Sequence, residues 1–195
     1  RRIAARLAPS VGGLVTPYAP PVLPSLAKAP AVRPIVVGFG PAGLFAALTL
    51  AEAGACPIVL ERGQDVDTRT RDVHAYWEHG APAFSPASNV QFGEGGAGTF
   101  SDGKLNSLIR EKDTVGRFVL ETFVKFGAPK EILYKNKPHI GTDILRKIVK
   151  NIREYILSKG AELRFGTLMT GILIRQDAPR PYVYGVTARS AEEEY

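Results

Sequence analysis

The residues best placed to do chemistry are three glycines that end an apolar run. Residues 35 to 43 read "IVVGFGPAG", so Gly38-x-Gly40-x-x-Gly43 follows a strand-like stretch without a break. Each glycine has a task that a side chain would obstruct. Gly38 permits a tight exit from the strand, Gly40 lets main chain approach a pyrophosphate, and Gly43 with Ala47 allows a helix to pack closely on the strands. The helix that starts here offers free N–H groups and the positive end of its dipole to phosphate. Glu61 follows Gly43 by 18 residues, at the end of a second apolar run, where a ribose-binding carboxylate belongs. Together these features predict a site for an ADP-containing dinucleotide. The charge on Glu61 disfavours the 2′-phosphate of NADP, which leaves FAD and NAD open.

A second glycine-rich stretch, "GEGGAGTFSDGK" from Gly93 to Lys104, holds five glycines in twelve residues and cannot lie inside a helix or strand at reasonable cost. Successive amides of such a loop form an anion nest, and Thr99 and Ser101 could add hydroxyls; a plain surface loop has the same glycine content. His74 and His79 are five apart and make no metal pair without a further ligand. Together with Trp77 they could line a substrate pocket, though nothing in their spacing requires it. The sequence contains no CxxC, so a disulfide-reductase mechanism has no support.

These groups need elements to hold them. Ile35–Val37, a helix from Ala42 to Ala53 stopped by Gly54, and a strand from Pro57 to Glu61 make a βαβ unit with a buried parallel pair. A short helix is predicted around Asp72 to Glu78. A further helix carries Val115, Phe118, Val119, Phe123 and Phe126, interrupted by Thr122, with Asp113 and Gly127 as its caps. The last helix starts at Thr142 or Asp143 and ends at Gly160. Its apolar stripe is Ile144, Leu145, Ile148, Val149, Ile152 and Ile156, and its basic row of Arg146, Lys147, Lys150 and Arg153 reads as a solvated face. "AELRFG", "TGILIR" and "YVYGVTAR" read as strands.

With 45% hydrophobic and 23% charged residues, the 195-residue chain has an ordinary globular composition. Its net charge of +6 is concentrated in residues 1–33, which hold Arg1, Arg2, Arg6, Lys28, Arg33 and no acid. The body has no basic footprint, so nucleic acid is not an expected partner. Residues 1–33 also hold six prolines and read as an extended linker to an upstream domain, the alternative being a targeting remnant. The uncharged stretch from Pro34 to Ala51 is broken by Gly38, Gly40, Pro41 and Gly43 and is not a membrane span. Cys56 is the single cysteine, which suits a reducing cytoplasmic setting. The absence of an initial Met and the polar ending "SAEEEY" suggest a fragment.

"VVGFGPAGLFAALTLAEAG", "IVLERG", "SNVQFGEGGAGTFSDGKL" and "KPHIGTD" resemble the NAD(P)/FAD-dependent oxidoreductases, FAD-dependent dehydrogenases related to the flavoproteins with two dinucleotide-binding domains. The resemblance runs from about Arg33 to the end of the chain and is most specific at residues 88–105. It implies an α/β, Rossmann-like FAD/NAD(P)-binding fold over residues 34–195, with 63–138 as an embedded segment and the closing flavin-binding element beyond Tyr195. It implies that Gly38, Gly40, Pro41, Ala42 and Gly43 bind the FAD pyrophosphate, that Glu61 and Arg62 serve the adenosine ribose, and that the strand near Met169 offers main chain to adenine. The second loop, through Gly95, Gly96, Gly98, Thr99 and Ser101, would wrap the cofactor. Arg69 or Arg71 could reach its phosphates, Arg69 being the candidate carried forward.

Catalytic residues are not identified; Lys104, a cation able to stabilise reduced flavin, and His139, a residue able to exchange protons, are weak candidates. The expected activity is hydride transfer through FAD to or from an unidentified small-molecule substrate, with NAD(P)H as an available electron donor. Two rivals remain: an NAD-dependent dehydrogenase, and a non-redox nucleotide-binding module associated with RNA modification.

Overall fold

The computed structural model describes residues 19, 20, 22, 23, 25–101, 103–105, 115–135, 139–177 and 179–190. The Pro-rich stretch expected as a linker falls largely outside these residues, as do Asp113, expected to cap a helix, and the polar ending. The described chain runs β1 (Ile35–Val37), α1 (Pro41–Glu52), β2 (Ile58–Leu60), α2 (Val66–His79), α3 (Val115–Lys125), α4 (Thr142–Ser158), β3 (Glu162–Arg164), β4 (Leu168–Arg175) and β5 (Tyr182–Arg189), with short 3-10 turns at Ala81–Ala83, Ala97–Phe100 and Lys130–Leu133.

Strands β1, β2 and β3 form one parallel sheet in that order, with Val36 opposite Val59 and Val59 opposite Leu163. Parallel neighbours need long crossovers. α1 supplies the first, and everything from Glu61 to Ala161 lies in the second, so the embedded segment returns to the sheet through α4. β4 and β5 make a separate antiparallel ribbon, with register shifts between Met169 and Gly171 and between Leu173 and Ile174. Arg33 ties the starts of the three parallel strands together. Its guanidinium donates to Cys56 O (2.6 Å), Pro57 O (3.3 Å) and Gly160 O (3.3 Å) and pairs with Glu162 (3.0 Å).

The core lies between the sheet and two helices. α1 starts with Pro41, whose fixed φ suits the first helical position, and buries Leu44, Ala47, Leu48 and Ala51. α4 buries Leu145, Ile148, Val149, Ile152 and Ile156, as its periodicity predicts. Phe45 of α1 packs edge-on or tilted against Phe118 and Phe123 of α3. Val115 is exposed, whereas Thr122, the expected interruption of the α3 stripe, is buried.

Two expectations change. α2 begins at Val66, well before Asp72, because Asp65 caps it: Asp65 Oδ1 accepts from the N–H of Asp67 (2.9 Å) and Thr68 (3.2 Å). The basic row of α4 is also more than a solvated face. Lys150 pairs with Asp67 (2.7 Å), and Arg153, largely buried, donates to Glu94 (2.8 Å) and lies near Asp65 (3.8 Å) and Asp67 (3.9 Å). Arg146 pairs with Asp143 and lies over the Phe100 ring. The acids that attract this row come from the start of α2 (Asp65, Asp67), the second glycine loop (Glu94) and α4 itself (Asp143).

Glu94 is fully buried. Its Oε2 accepts from Val66 N–H (2.6 Å) and Arg153, while Oε1 has no partner among the described residues. Burial pushes its carboxyl up to about 7, with the Arg153 charge drawing it partly back.

Two stability predictions follow from these contacts. Gly43 and Gly38 should respond differently to alanine. A Cβ on Gly43 would sit 1.9 Å from Gly38 O, whereas one on Gly38 meets nothing within 4 Å and carries only the strain of φ +86°. Gly43→Ala is expected to cost 3 kcal/mol or more and Gly38→Ala about 1 kcal/mol, read from urea unfolding; equal losses would show that helix–strand contact is not the constraint.

The Glu94 carboxyl titrates higher in the folded state than its ordinary 4.5, so protonation favours folding. Its contribution is fully present below about pH 4.5 and is lost as pH rises through about 7. Wild-type stability should therefore fall relative to Glu94→Gln across that window, by on the order of 1.4 kcal/mol per pH unit, in unfolding series at pH 5, 6, 7 and 8.

Candidate functional site

The turn between β1 and α1 is built by main chain. Gly38 takes φ +86° and donates to Leu60 O (2.7 Å), which ties the strand exit to β2. Leu44 N–H is the first of α1 to close a helical turn, onto Gly40 O (2.9 Å). The amides of Ala42 and Gly43 ahead of it are first-turn donors, and Pro41 has no N–H to offer. The Gly40 N-cap has no side chain to occupy these donors.

Glu61 holds this turn in place. Its carboxylate is buried and accepts from Phe39 N–H through Oε2 and from Gly63 N–H through Oε1, both at 2.7 Å. Phe39 O in turn accepts from Gly95 N–H (2.8 Å), and the Phe39 ring is fully buried. The first glycine turn and the second glycine loop are thus fastened through one residue, Phe39. At their junction Gly40 and Gly96 meet closely: a Cβ on Gly96 would lie 3.0 Å from Pro41 Cδ and 3.4 Å from Gly40 Cα.

The second loop is held from within. Arg69 is fully buried, and its three guanidinium nitrogens donate to the carbonyls of Asn89 (2.7 Å), Val90 (2.8 Å), Gly93 (3.4 Å), Glu94 (2.7 Å) and Gly96 (2.8 Å). Burial lowers its pKa to about 10, which leaves it charged at neutral pH. The expectation that Arg69 reaches a cofactor phosphate is corrected here, because its hydrogen bonds go to loop carbonyls. Arg71 is exposed and donates to Thr68 Oγ1 (3.0 Å).

The hydroxyls of the loop are also used internally. Thr99 is buried and donates to Glu94 O (3.5 Å); Ser101 donates to Gly98 O (2.9 Å) and accepts from Gly103 N–H (3.4 Å). Gly98 has open space where its Cβ would be. Gly95 and Gly96 both take positive φ; a Cβ on Gly95 would strike Thr99 Oγ1 at 2.2 Å.

Two cavities flank the junction. One, about 350 Å³, is lined by Gly38, Glu61, Arg62, Phe92, Thr167 and Met169, with neighbouring strand residues. It brings Glu61, Arg62 and Met169 together. Arg62 lies 4.2 Å over the Phe92 ring and donates to Pro86 O (3.0 Å). Phe92 and Thr167 were not anticipated; the only available signal for Phe92 was a large ring standing directly before the glycine loop.

The other cavity, about 210 Å³, is mainly apolar, with Leu44, Phe45, Phe123, Leu145 and Val149 on one side and Gly95, Gly98, Ser101 and Lys104 on the other. Lys104 and His139, separate in sequence, are bridge partners next to the Ile140 N–H to Gly103 O bond (2.9 Å), and both are exposed. His74 and Trp77 pack edge to face (5.5 Å) on α2, with Trp77 59% exposed. No described helix is long and apolar enough to cross a membrane.

No family model matches the chain. An uncharacterized protein of Clostridium beijerinckii is 56% identical over 140 residues, which make up 72% of this chain and 26% of that protein. The chain thus spans about a quarter of that relative's length. Among solved structures, Thermovibrio ammonificans THI4 is similar over 81% of this chain and 47% of its own, with a TM-score of 0.50 at 19% identity. Aklavinone-11 hydroxylase, solved in a ternary complex with FAD and aklavinone, covers 87% of this chain and 31% of its own at 17% identity, but its TM-score of 0.36 carries no argument. The parallel βαβ sheet, the glycine turn and the THI4 likeness agree on the fold: the chain is an α/β protein with a Rossmann-like fold.

Proposed function

We propose that the chain forms the ADP-binding part of an FAD site in a flavoprotein oxidoreductase. The observation that carries this reading is the junction of the two glycine segments. First-turn amides of α1 lie beside Gly40 and Gly96, where a Cβ on Gly96 would meet Pro41 Cδ at 3.0 Å, and a cavity with a carboxylate opens from the same turn. Main-chain amides at a helix start suit a pyrophosphate. Glu61 accepts one N–H at each oxygen, and each retains a lone pair for a ribose hydroxyl. The cavity of about 350 Å³ falls in the size range of cofactor sites.

In this reading Gly38, Gly40, Ala42, Gly43 and Gly96 provide the phosphate cradle, and Glu61, Arg62 and Met169 surround the nucleoside. Arg69, Thr99 and Ser101 keep the second loop in shape. FAD, when bound, supplies hydride chemistry; this chain binds and orients it. The substrate is an unidentified small molecule, and NAD(P)H is the proposed electron donor. Lys104, which lines the apolar cavity, and its bridge partner His139 are the groups of this chain proposed to tune charge and exchange protons.

The test is direct. Full-length protein should purify yellow and release FAD on denaturation. A colourless preparation that cannot be reconstituted with FAD would exclude the reading. Lys104→Ala should retain FAD and shift its reduction potential to more negative values in a dye-coupled titration; an unchanged potential removes Lys104 from the tuning role.

A further inference from the structure

Phe92 is a large aromatic side chain left 41% exposed in a turn that is otherwise tightly tied. Asn89 N–H donates to Phe92 O (3.1 Å), and Asn89 Oδ1 accepts from Gln91 N–H (2.8 Å) and Phe92 N–H (3.2 Å). The carbonyls of Asn89 and Val90 are held by buried Arg69. The next residue, Gly93, is pressed against Gly63, where a Cβ would lie 2.4 Å from Gly93 Cα. The ring therefore has a fixed base. Arg62, anchored on Pro86 O, lies 4.2 Å over it.

Both side chains line the cavity that also contains Glu61, Thr167 and Met169. A fixed aromatic ring, a planar guanidinium and a carboxylate are the groups a nucleoside requires: surfaces on which a base stacks and an acceptor for sugar hydroxyls.

We propose that Phe92, with Arg62 stacked on it, is the platform for the adenine ring, and that this cavity therefore selects a purine over a pyrimidine nucleotide. The proposal rests on the FAD reading for the rest of the ligand, and the nucleotide end can be tested alone. ADP and CDP are titrated calorimetrically into the full chain and into Phe92→Ala, Phe92→Leu and Phe92→Trp. Wild type should bind ADP about tenfold more tightly than CDP. Phe92→Ala and Phe92→Leu should lose about tenfold or more in ADP affinity. Phe92→Trp should retain ADP, with its indole fluorescence quenched on binding.

The leucine variant keeps apolar bulk, so a loss shared by both non-aromatic variants is assigned to the ring, provided their thermal unfolding matches wild type. Equal ADP affinity in wild type and Phe92→Leu overturns the platform, as does a wild type that binds no ADP. FAD uptake unaffected by Phe92→Leu also overturns it and leaves the FAD reading standing. Phe92-dependent ADP binding in a protein that takes up no FAD supports the platform and overturns the FAD reading.

Discussion

The arrangement of the site depends on how one buried carboxylate is satisfied. A carboxylate taken out of water needs donors in good geometry, or its desolvation goes uncompensated. Glu61 finds them in two main-chain amides, Phe39 and Gly63, each at 2.7 Å. These are charge-assisted bonds, about twice as strong as neutral ones. They join the turn after β1 to the end of β2 and the start of the long crossover. Because Phe39 O also receives Gly95 N–H, the second glycine loop hangs from the same residue, and because the Phe39 ring is in the core that residue cannot swing away. Where the first-turn amides of α1 stand relative to the second loop thus follows from Glu61.

Arg69 complements this from the other side. A loop with so many glycines loses much conformational entropy on ordering, and a plain surface loop would remain mobile. Five carbonyls converging on one buried guanidinium change that balance. Charged hydrogen bonds are among the stronger ones available, and loss of Arg69 would remove the donors that hold the Asn89 and Val90 carbonyls. Glu94 extends the network to α2 and Arg153 of α4, so the loop is gripped by the elements that the long crossover brings back to the sheet.

Much of the fold could be read from the residues. The βαβ unit, the apolar stripe of α4 and the late strands all follow from periodicity and from glycine or proline at element ends. The start of α2 was missed even though Asp65 and Thr68 carry a capping signal, because weak apolar periodicity drew attention to its later turns. Within the proposed site, the main-chain turn is legible and the side-chain contacts are not. Gly38, Gly40 and Gly43 can be read because a task performed by main chain excludes side chains at fixed spacing. Arg69 could not be read the same way. An arginine suits a phosphate or a cluster of carbonyls equally well, and only the path of the chain 20 to 27 residues later decides between them.

The same distinction explains the two ends of the proposed nucleotide site. Phosphate binding by amides needs only a helix start and room, so it is encoded locally within a few residues. Holding a base requires groups from distant parts of the chain: Arg62 after β2, Phe92 before the glycine loop, and Met169 on the ribbon. None of these has a recognisable spacing, because nothing relates them until the crossover has closed. Their alignment depends on the turn that Arg69 holds and on the strand end that Glu61 holds. The two buried charges that shape the glycine segments therefore also set the width of this cavity, and the proposed phosphate and base sites share one scaffold.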